Sequence, residues 1–344
     1  MVVEYKELLN FTKKILKING VDDFSLNSVS DGLCNASLRG IDSHGIRLLP
    51  HYVNSVNNGR KNGNPDFKFE LNFPSIGCLD ADDAFGLAAG DKAMEYGMDI
   101  ADKQGFAFVA VKNSSHPGAM SSIAIPVAEK GYIAFAFTHA DSLILSHNGV
   151  RPYFGTNPIC VAAPRVEGTP FCLDMATSVI PWNKLKMHRS NKKPLPKGVA
   201  ADINGIETTD ASIATSLLPT GGYKGFGLAS VVEILCGIYT GMEFGRSIPS
   251  MFEAPIDQTR KLGQAYFVLK TDGVISSEDF IKRMQQMSNE VRSEPSDNDS
   301  VMLSGDKEIL TCNERIKTGI PLDELTATEL MQLGKKYDIN LLIS

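Results

Sequence analysis

FAFVAVKNSSHPGAMSSIAIPVAEKGYIAFAF, residues 106–137, is the stretch on which the fold turns. It opens with FAFVAV (106–111) and closes with YIAFAF (132–137). Short aromatic and aliphatic runs of this kind read as buried strands. Between them SSIAIPVAEKG (121–131) reads as a helix ended by Gly131, with Pro126 as a local disturbance. Strand, helix and strand in succession predict an α/β protein. Outward from this unit, ICVAA (159–163), FCLDM (171–175) and QAYFVL (264–269) are further strand candidates, and Phe226–Thr240 reads as a helix. Upstream, Phe67, Phe69, Leu71 and Phe73 alternate with polar residues, the pattern of a half-buried strand, before Pro74.

The two ends have a different period. Leu8, Phe11 and Ile15 recur at helical spacing and Gly20 stops the run. Leu26, Val29, Leu33 and Ala36 repeat the pattern, with Ser25 as the expected N-cap and Gly40 as the stop. A third helix is expected over Leu48–Val56, before Gly59. At the C-terminal end, Thr326 and Glu329 have capping-box spacing ahead of Leu330 and Leu333. SEPSDNDS (293–300) reads as a surface loop. Helical ends thus enclose a mixed α/β middle.

At 344 residues, and roughly 100–200 residues per domain, two or three units are expected. A formal charge of -6 argues against general nucleic-acid binding, which needs a basic surface. It leaves room for a small anion held by local cations. No apolar run reaches the roughly eighteen residues of a membrane span, and MVVEYKELLNFTKK at the start lacks a signal-peptide core. Cysteines stand at 34, 78, 160, 172, 236 and 312 with no CxxC pair, so neither a zinc site nor a dense disulfide framework is expected. Reduced thiols and a cytoplasmic location are the expectation.

Chemistry has few places to reside. His44 in DSHG (42–45) and His116 in NSSHPG (113–118) occupy turn-like, hydroxyl-rich settings of the kind that present catalytic groups. An imidazole with an unperturbed pKa of about 6.5 suits acid–base work, although a hydrogen-bonded structural histidine is the plainer reading of either alone. His139, Asp141 and His147 fall close together, which keeps a metal-dependent hydrolase as a remote alternative. There is no HExxH, however, and their spacing matches no metal template, so no metal is expected. PTGGYKGFG (219–227) is an anion-site candidate, because glycines let the backbone approach a phosphate beside Lys224 and a helix start. It is neither a Walker loop nor the GxGxxG fingerprint. After Trp182 comes a basic run of Lys184, Lys186, His188, Arg189, Lys192, Lys193 and Lys197. Such a run is usually a solvated face; the alternative is a site for an adenine-ribose phosphate.

Taken together, DSHGIRLLPHYV (42–53), NSSHPGAM (113–120), RPYFGTNPICVAAPR (151–165), FCLDMATS (171–178), LLPTGGYKGFGLASVVEILCGIYTG (217–241) and ERIKTGIPL (314–322) resemble the non-Rossmann malate/L-lactate dehydrogenase family. The segments keep family order over nearly the whole chain. The resemblance implies an oxidoreductase that transfers hydride between NAD or NADP and a small 2-hydroxy or 2-keto carboxylate. Reduction of a cyclic imine, a piperideine or pyrroline carboxylate, is the alternative on the same scaffold. It also implies a homodimer, and an α/β fold with a non-Rossmann mixed-sheet cofactor domain (67–307) and a helical domain formed by the terminal segments (1–66 and 308–344). By motif, His44 and His116 fall at the catalytic centre, with Asp174 a candidate to orient an imidazole. Ser43, Arg47 and Tyr52 fall at the substrate. Asp174, Met175, Ala176, Lys224 and Gly225 fall at the cofactor, as do Ser304, Gly305 and Asp306, where the family has Pro-Gly-Glu. Arg47 stands one residue earlier than in many relatives, and Pro117 replaces a more usual aromatic. His44 is favoured as the acid–base group because it shares a segment with Arg47.

Overall fold

The structure, a computed structural model, describes residues 1–165, 169–297 and 300–343. A short strand β1 (Val2–Val3) leads into helices α1 (Tyr5–Ile18), α2 (Asp23–Leu38) and α3 (Leu49–Asn57). Their buried positions are those the spacing marked: Leu8, Phe11 and Ile15 on α1, and Leu26, Val29, Leu33 and Ala36 on α2. One detail differs. Asp22, not Ser25, caps α2: its carboxylate accepts Ser25 N at 2.8 Å, and Ser25 Oγ donates to the same group. Ser25 therefore lies one turn inside the helix. Two tight turns, Asp42–His44 and Ile46–Leu48, join α2 to α3.

The α/β middle follows with β2 (Lys68–Phe73), β3 (Ile76–Asp80), α4 (Gly86–Gln104), β4 (Phe106–Ser114), α5 (Ser121–Glu129) and β5 (Tyr132–Thr138). Beyond it lie β6 (Ile144–Leu145), β7 (Pro152–Phe154), β8 (Ile159–Ala163), β9 (Phe171–Met175), α6 (Trp182–Ser190), β10 (Ala200–Ala201) and β11 (Ser216–Leu217). The chain ends with α7 (Tyr223–Glu233), β12 (Leu262–Lys270), α8 (Ser277–Arg292), α9 (Asp306–Thr318), β13 (Ile320–Pro321) and α10 (Glu324–Lys336).

Among the described residues, seven strands form the main sheet in the order β2-β3-β4-β12-β5-β8-β9. Only β3 and β4 run parallel; the other neighbours are antiparallel, so the sheet is mixed. The late strand β12 threads between β4 and β5, pairing Phe267 with both Phe108 and Phe135. A second sheet has four strands in the order β10-β11-β6-β7. β1 pairs with β13, so both ends of the chain meet. One continuous apolar core runs from α1 and α2 through α4 and α5 to the central strands. Leu33, fully buried within it, is a position where truncation to alanine costs about 2–5 kcal/mol.

Three further expectations shift. β2 is an edge strand: Phe69 stacks on Tyr96 at 4.0 Å, while Leu71 and Phe73 stay 55% and 66% exposed. The expected half-burial thus holds for Phe67 and Phe69, which pack against the core, and fails for Leu71 and Phe73. The helix expected to Thr240 ends as regular α-helix at Glu233 and continues as a π-helical turn, Ile234–Ile238. At α10 the cap is Asp323, which accepts Thr326 N at 2.9 Å and takes the Thr326 hydroxyl as well; no Thr326–Glu329 box closes. The polar segment 293–300 is exposed through residue 297, while 298 and 299 lie outside the described residues. No described helix is long and apolar enough to cross a membrane.

Candidate active site

His44 and His116 arrive from separate loops and stack, with ring centroids 5.5 Å apart and planes 20° from parallel. Close backbone approaches bring each loop in. A Cβ at Gly45 would lie 2.1 Å from Ser37 Oγ, and one at Gly86 would lie 2.1 Å from Ser115 O and 2.6 Å from the carbonyl carbon of His116. Glycine at these two positions is what lets the 42–44 turn sit on α2 and the β4–α5 loop sit on α4. Arg315 on α9 clamps the first loop further, holding Asp42 with both nitrogens at 2.6 and 3.0 Å.

The two rings are fastened differently. His44 Nδ1 lies 2.8 Å from Ser43 Oγ, a hydroxyl that can donate or accept. His116 Nδ1 receives Gly118 N at 3.3 Å, with the Tyr52 hydroxyl 3.0 Å away. A backbone N–H only donates, so Nδ1 of His116 accepts and the hydrogen of the neutral ring belongs on Nε2. Burial pushes His44 down to about 4, with Arg47 adding repulsion. His116 falls well below its ordinary value through burial, then through His44, Lys61, Arg260 and His51. Both rings are therefore neutral at pH 7.

Beside them lies a cluster of buried cations. Lys61 is 5% exposed; its Nζ sits 3.6 Å from the Tyr52 ring centroid and has no hydrogen-bond acceptor among the described residues. Arg60 donates to the carbonyls of Met251, Ala254 and Pro255. Arg260 gives Nη2 to Asp141 and Nε to Pro249 O, leaving a buried Nη1 with no partner among the described residues. Unsatisfied buried donors are costly, and Arg260 lines a cavity of about 1080 Å³. That volume is just above the roughly 300–1,000 Å³ usual for small-molecule sites, enough for an extended cofactor with a small substrate.

Ser43, His44, His116, Asp174, Ala176, Ser304 and Gly305 all face this cavity, so its wall gathers much of the set expected from the motifs. Gly305, at φ +92°, starts α9 against β9: a Cβ there would lie 3.1 Å from Cys172 O. Glycine at this position is what lets α9 start so close to β9.

Other expected residues are placed elsewhere. Tyr52 is fully buried behind His116, so it holds the imidazole rather than a substrate. Asp174 accepts Ser121 N at 2.8 Å and bonds neither imidazole; Ser43 and Tyr52 do that work. Asp306 is taken by Arg292 at 2.7 and 2.8 Å and by Arg165 at 3.4 Å, which leaves its carboxylate committed within the protein. Arg47 is half-buried on the turn after His44 and Met175 is half-buried in β9; both lie off the cavity wall. Lys224 is exposed and also off the wall. Gly225 is buried because α7 starts against the DMATS turn: a Cβ would lie 2.2 Å from Thr220 O and 2.9 Å from Thr177 O.

Of the basic run, Lys184, Lys186 and Arg189 line the cavity, and Lys186 Nζ lies 3.4 Å from the Phe252 ring centroid. Lys192, Lys193 and Lys197 are solvated, and His188 Nδ1 meets Pro194 O. The metal alternative fails on geometry. His139 Nε2 accepts Gly263 N at 2.8 Å, Asp141 is paired with Arg260, and His147 is exposed beside Tyr223. No group of three or more metal-ligating side chains occurs among the described residues. Sequence reading missed Arg60, Lys61 and Arg260, and also Asn183, which donates to Ser43 O at 2.8 Å. Arg260 offers no local signal, since its role arises where it meets Asp141 from another segment.

The family profile described as malate/L-lactate dehydrogenase matches residues 3–331. A malate dehydrogenase of Pyrococcus abyssi is 34% identical over 345 residues, covering 97% of this chain and 94% of its own length. The ureidoglycolate dehydrogenase (NAD(+)) of Escherichia coli K12 is 34% identical over 264 residues, covering 77% of this chain and 75% of its own length. Among solved structures, malate dehydrogenase from Pyrococcus horikoshii OT3 superposes with a TM-score of 0.91 at 29% identity, covering 99% of this chain and 97% of that one.

Proposed function

The chain belongs to the malate/L-lactate dehydrogenase family, and from that premise we propose that its cavity brings a nicotinamide dinucleotide, NAD or NADP, against a small 2-hydroxy or 2-keto carboxylate. The observation that carries this reading is the stacked neutral histidine pair beside Arg260, whose buried Nη1 has no partner among the described residues. A carboxylate supplies the missing acceptor, and a charge-assisted hydrogen bond contributes about 1.5–3 kcal/mol.

The dinucleotide supplies hydride in reduction and accepts it in oxidation. The protein's own task is to bind, orient and handle one proton. His44 is the acid–base group, since a Ser43 hydroxyl that can donate or accept lets the ring carry either protonation state. His116, with Nδ1 held as an acceptor, points an Nε2–H donor at the reacting oxygen and polarises it. A carboxylate bound near the pair brings negative charge that lifts His44 from about 4 back toward neutrality.

Asp174, Ala176, Ser304 and Gly305 are the proposed dinucleotide contacts, with Lys184 and Lys186 as counter-charges for phosphate. Lys224 contributes from outside the wall. Homodimerisation fits the exposed stripe of Leu228, Val231, Ile234 and Ile238 along α7 and its π turn, at 41%, 50%, 52% and 57% exposure. A cytoplasmic location fits cysteines that are free in the structure. Fluorescence titration with NADH and NADPH tests the cofactor assignment and compares the two. A panel of hydroxy acids, keto acids and cyclic imines then tests the substrate class. A protein that binds neither dinucleotide contradicts the reading.

A further inference from the structure

Two cysteines that the proposed reaction does not use lie against its cofactor wall. Cys160 on β8 and Cys172 on β9 have sulfurs 3.8 Å apart. In the antiparallel ladder Cys160 faces Asp174 and Cys172 faces Ala162, so the pair is diagonal on one face of the sheet. Cys172, itself only 4% exposed, meets the cavity, and Cys160 is fully buried behind it. Cys172 is also tied to both segments assigned to the dinucleotide. Asp174 is two residues along the same strand, and Ser304 O accepts Cys172 N at 3.5 Å next to Gly305, which packs on the Cys172 backbone.

We propose that Cys172 is a peroxide-reactive thiol and that Cys160 resolves its oxidised form into a reversible disulfide that disables the dinucleotide site. The effect on the site, though not the disulfide itself, rests on the cofactor placement proposed above. In the first step the Cys172 thiolate sulfur attacks hydrogen peroxide: an S–O bond forms, the O–O bond breaks, and the departing hydroxide is protonated to water. In the second, the Cys160 sulfur displaces the hydroxyl of the Cys172 sulfenic acid. The S–S bond forms, the S–O bond breaks, and the Cys160 proton leaves in a second water. Two thiols lose two electrons and two protons, and one peroxide becomes two waters.

The geometry sets the order of events. Burial, together with the Cys172 contact and the Asp174 charge, raises the Cys160 thiol well above its ordinary value, so Cys160 stays protonated and shielded while Cys172 meets the oxidant. Closing the bond brings the sulfurs from 3.8 Å to about 2.05 Å. Diagonal cross-strand positions stand farther apart than directly opposed ones, so β9 has to move against β8. That movement carries Asp174 and the Ser304–Gly305 turn with it. A disulfide closed under such constraint is readily reduced.

The test begins with ligand-free protein exposed to hydrogen peroxide, followed by unfolding, alkylation and peptide mass spectrometry. The expected product is a peptide linked through Cys160 and Cys172, two hydrogens lighter than the reduced pair. In C160S, dimedone should trap the sulfenic acid on Cys172. If C160S does not fold, the wild-type product decides alone. Recovery of both cysteines as alkylated free thiols after peroxide overturns the proposal. For the site, reduced protein should bind NADH or NADPH, the linked form should bind it about tenfold more weakly or worse, and dithiothreitol should restore binding. A linked protein with unchanged affinity overturns the control of the site. If the reduced protein binds no dinucleotide, it is the cofactor placement that fails, and the mass measurement still judges the thiol pair.

Discussion

The 42–45 turn and the 113–118 loop each deliver one histidine to the same cavity, yet they are built to opposite ends. His44 meets a hydroxyl that can reverse its role, so its ring can gain and lose a proton without breaking its support. His116 is held by a main-chain donor and backed by Tyr52. Its charged form would set one N–H against another beside Lys61 and Arg260. Two identical side chains 5.5 Å apart thus have different partners at Nδ1, and the roles proposed for them rest on that difference.

Arg260 is where the comparison can be broken hardest, because its charge falls on the His116 side while Arg47 acts on His44. Arg260→Lys removes the planar fork that serves Asp141, Pro249 O and the cavity together. It should raise KM for carboxylate substrates about a hundredfold, whereas Arg47→Lys, off the wall, should raise it about tenfold or less. Steady-state kinetics on the two variants checks the order, and equal effects would erase the distinction between the loops.

Tyr52→Phe sharpens the comparison from behind. It deletes the hydroxyl at His116 Nδ1 and leaves Ser43–His44 untouched. The expected result is about a tenfold loss of kcat from a misplaced donor, with dinucleotide affinity kept. A wild-type kcat would show that Gly118 N suffices.

Acid exposes the buried rings together. His44 is held down to about 4, His51 to about 3 and His139 to about 3, each by burial first. Their folded values lie below the unfolded one of about 6.5, so the stability they permit is complete above pH 6.5 and is lost as pH falls toward those values. Thermal denaturation should show Tm already falling between about pH 6.5 and 5, above most carboxylate titrations. A flat Tm across that window contradicts the burial of these rings. Smallest of all, Lys224→Ala should weaken dinucleotide binding about fivefold or less in a fluorescence titration, as an exposed charge does.

Much of the fold was legible because its elements have strong periods. The strands around 106–137 and the helices marked by Leu8, Phe11, Ile15 and by Val29, Leu33 fall where spacing put them. Caps were less legible, since an upstream aspartate wins at both α2 and α10 over the hydroxyl residue that sequence favours. On the cavity wall, His44 and His116 stand in the turns that the sequence marked, and Asp174, Ala176, Ser304 and Gly305 stand in segments that the resemblance singled out. Arg260 was not visible, because its meaning comes from Asp141, a residue far away in the chain. Tyr52 and Asp306 show the converse: both were chosen by motif, and the contacts they make are to His116 and to Arg292.

The division of labour between the two histidines is tested most directly by kcat for His44→Ala and His116→Ala, measured beside NADH or NADPH affinity for each. His44→Ala should lose at least about a hundredfold in kcat, within the roughly 10²–10⁴ typical of a general acid–base group. His116→Ala should lose less, as a polarising donor, and both variants should keep dinucleotide binding. A near-normal kcat in His44→Ala, with the large loss falling on His116→Ala instead, would contradict it.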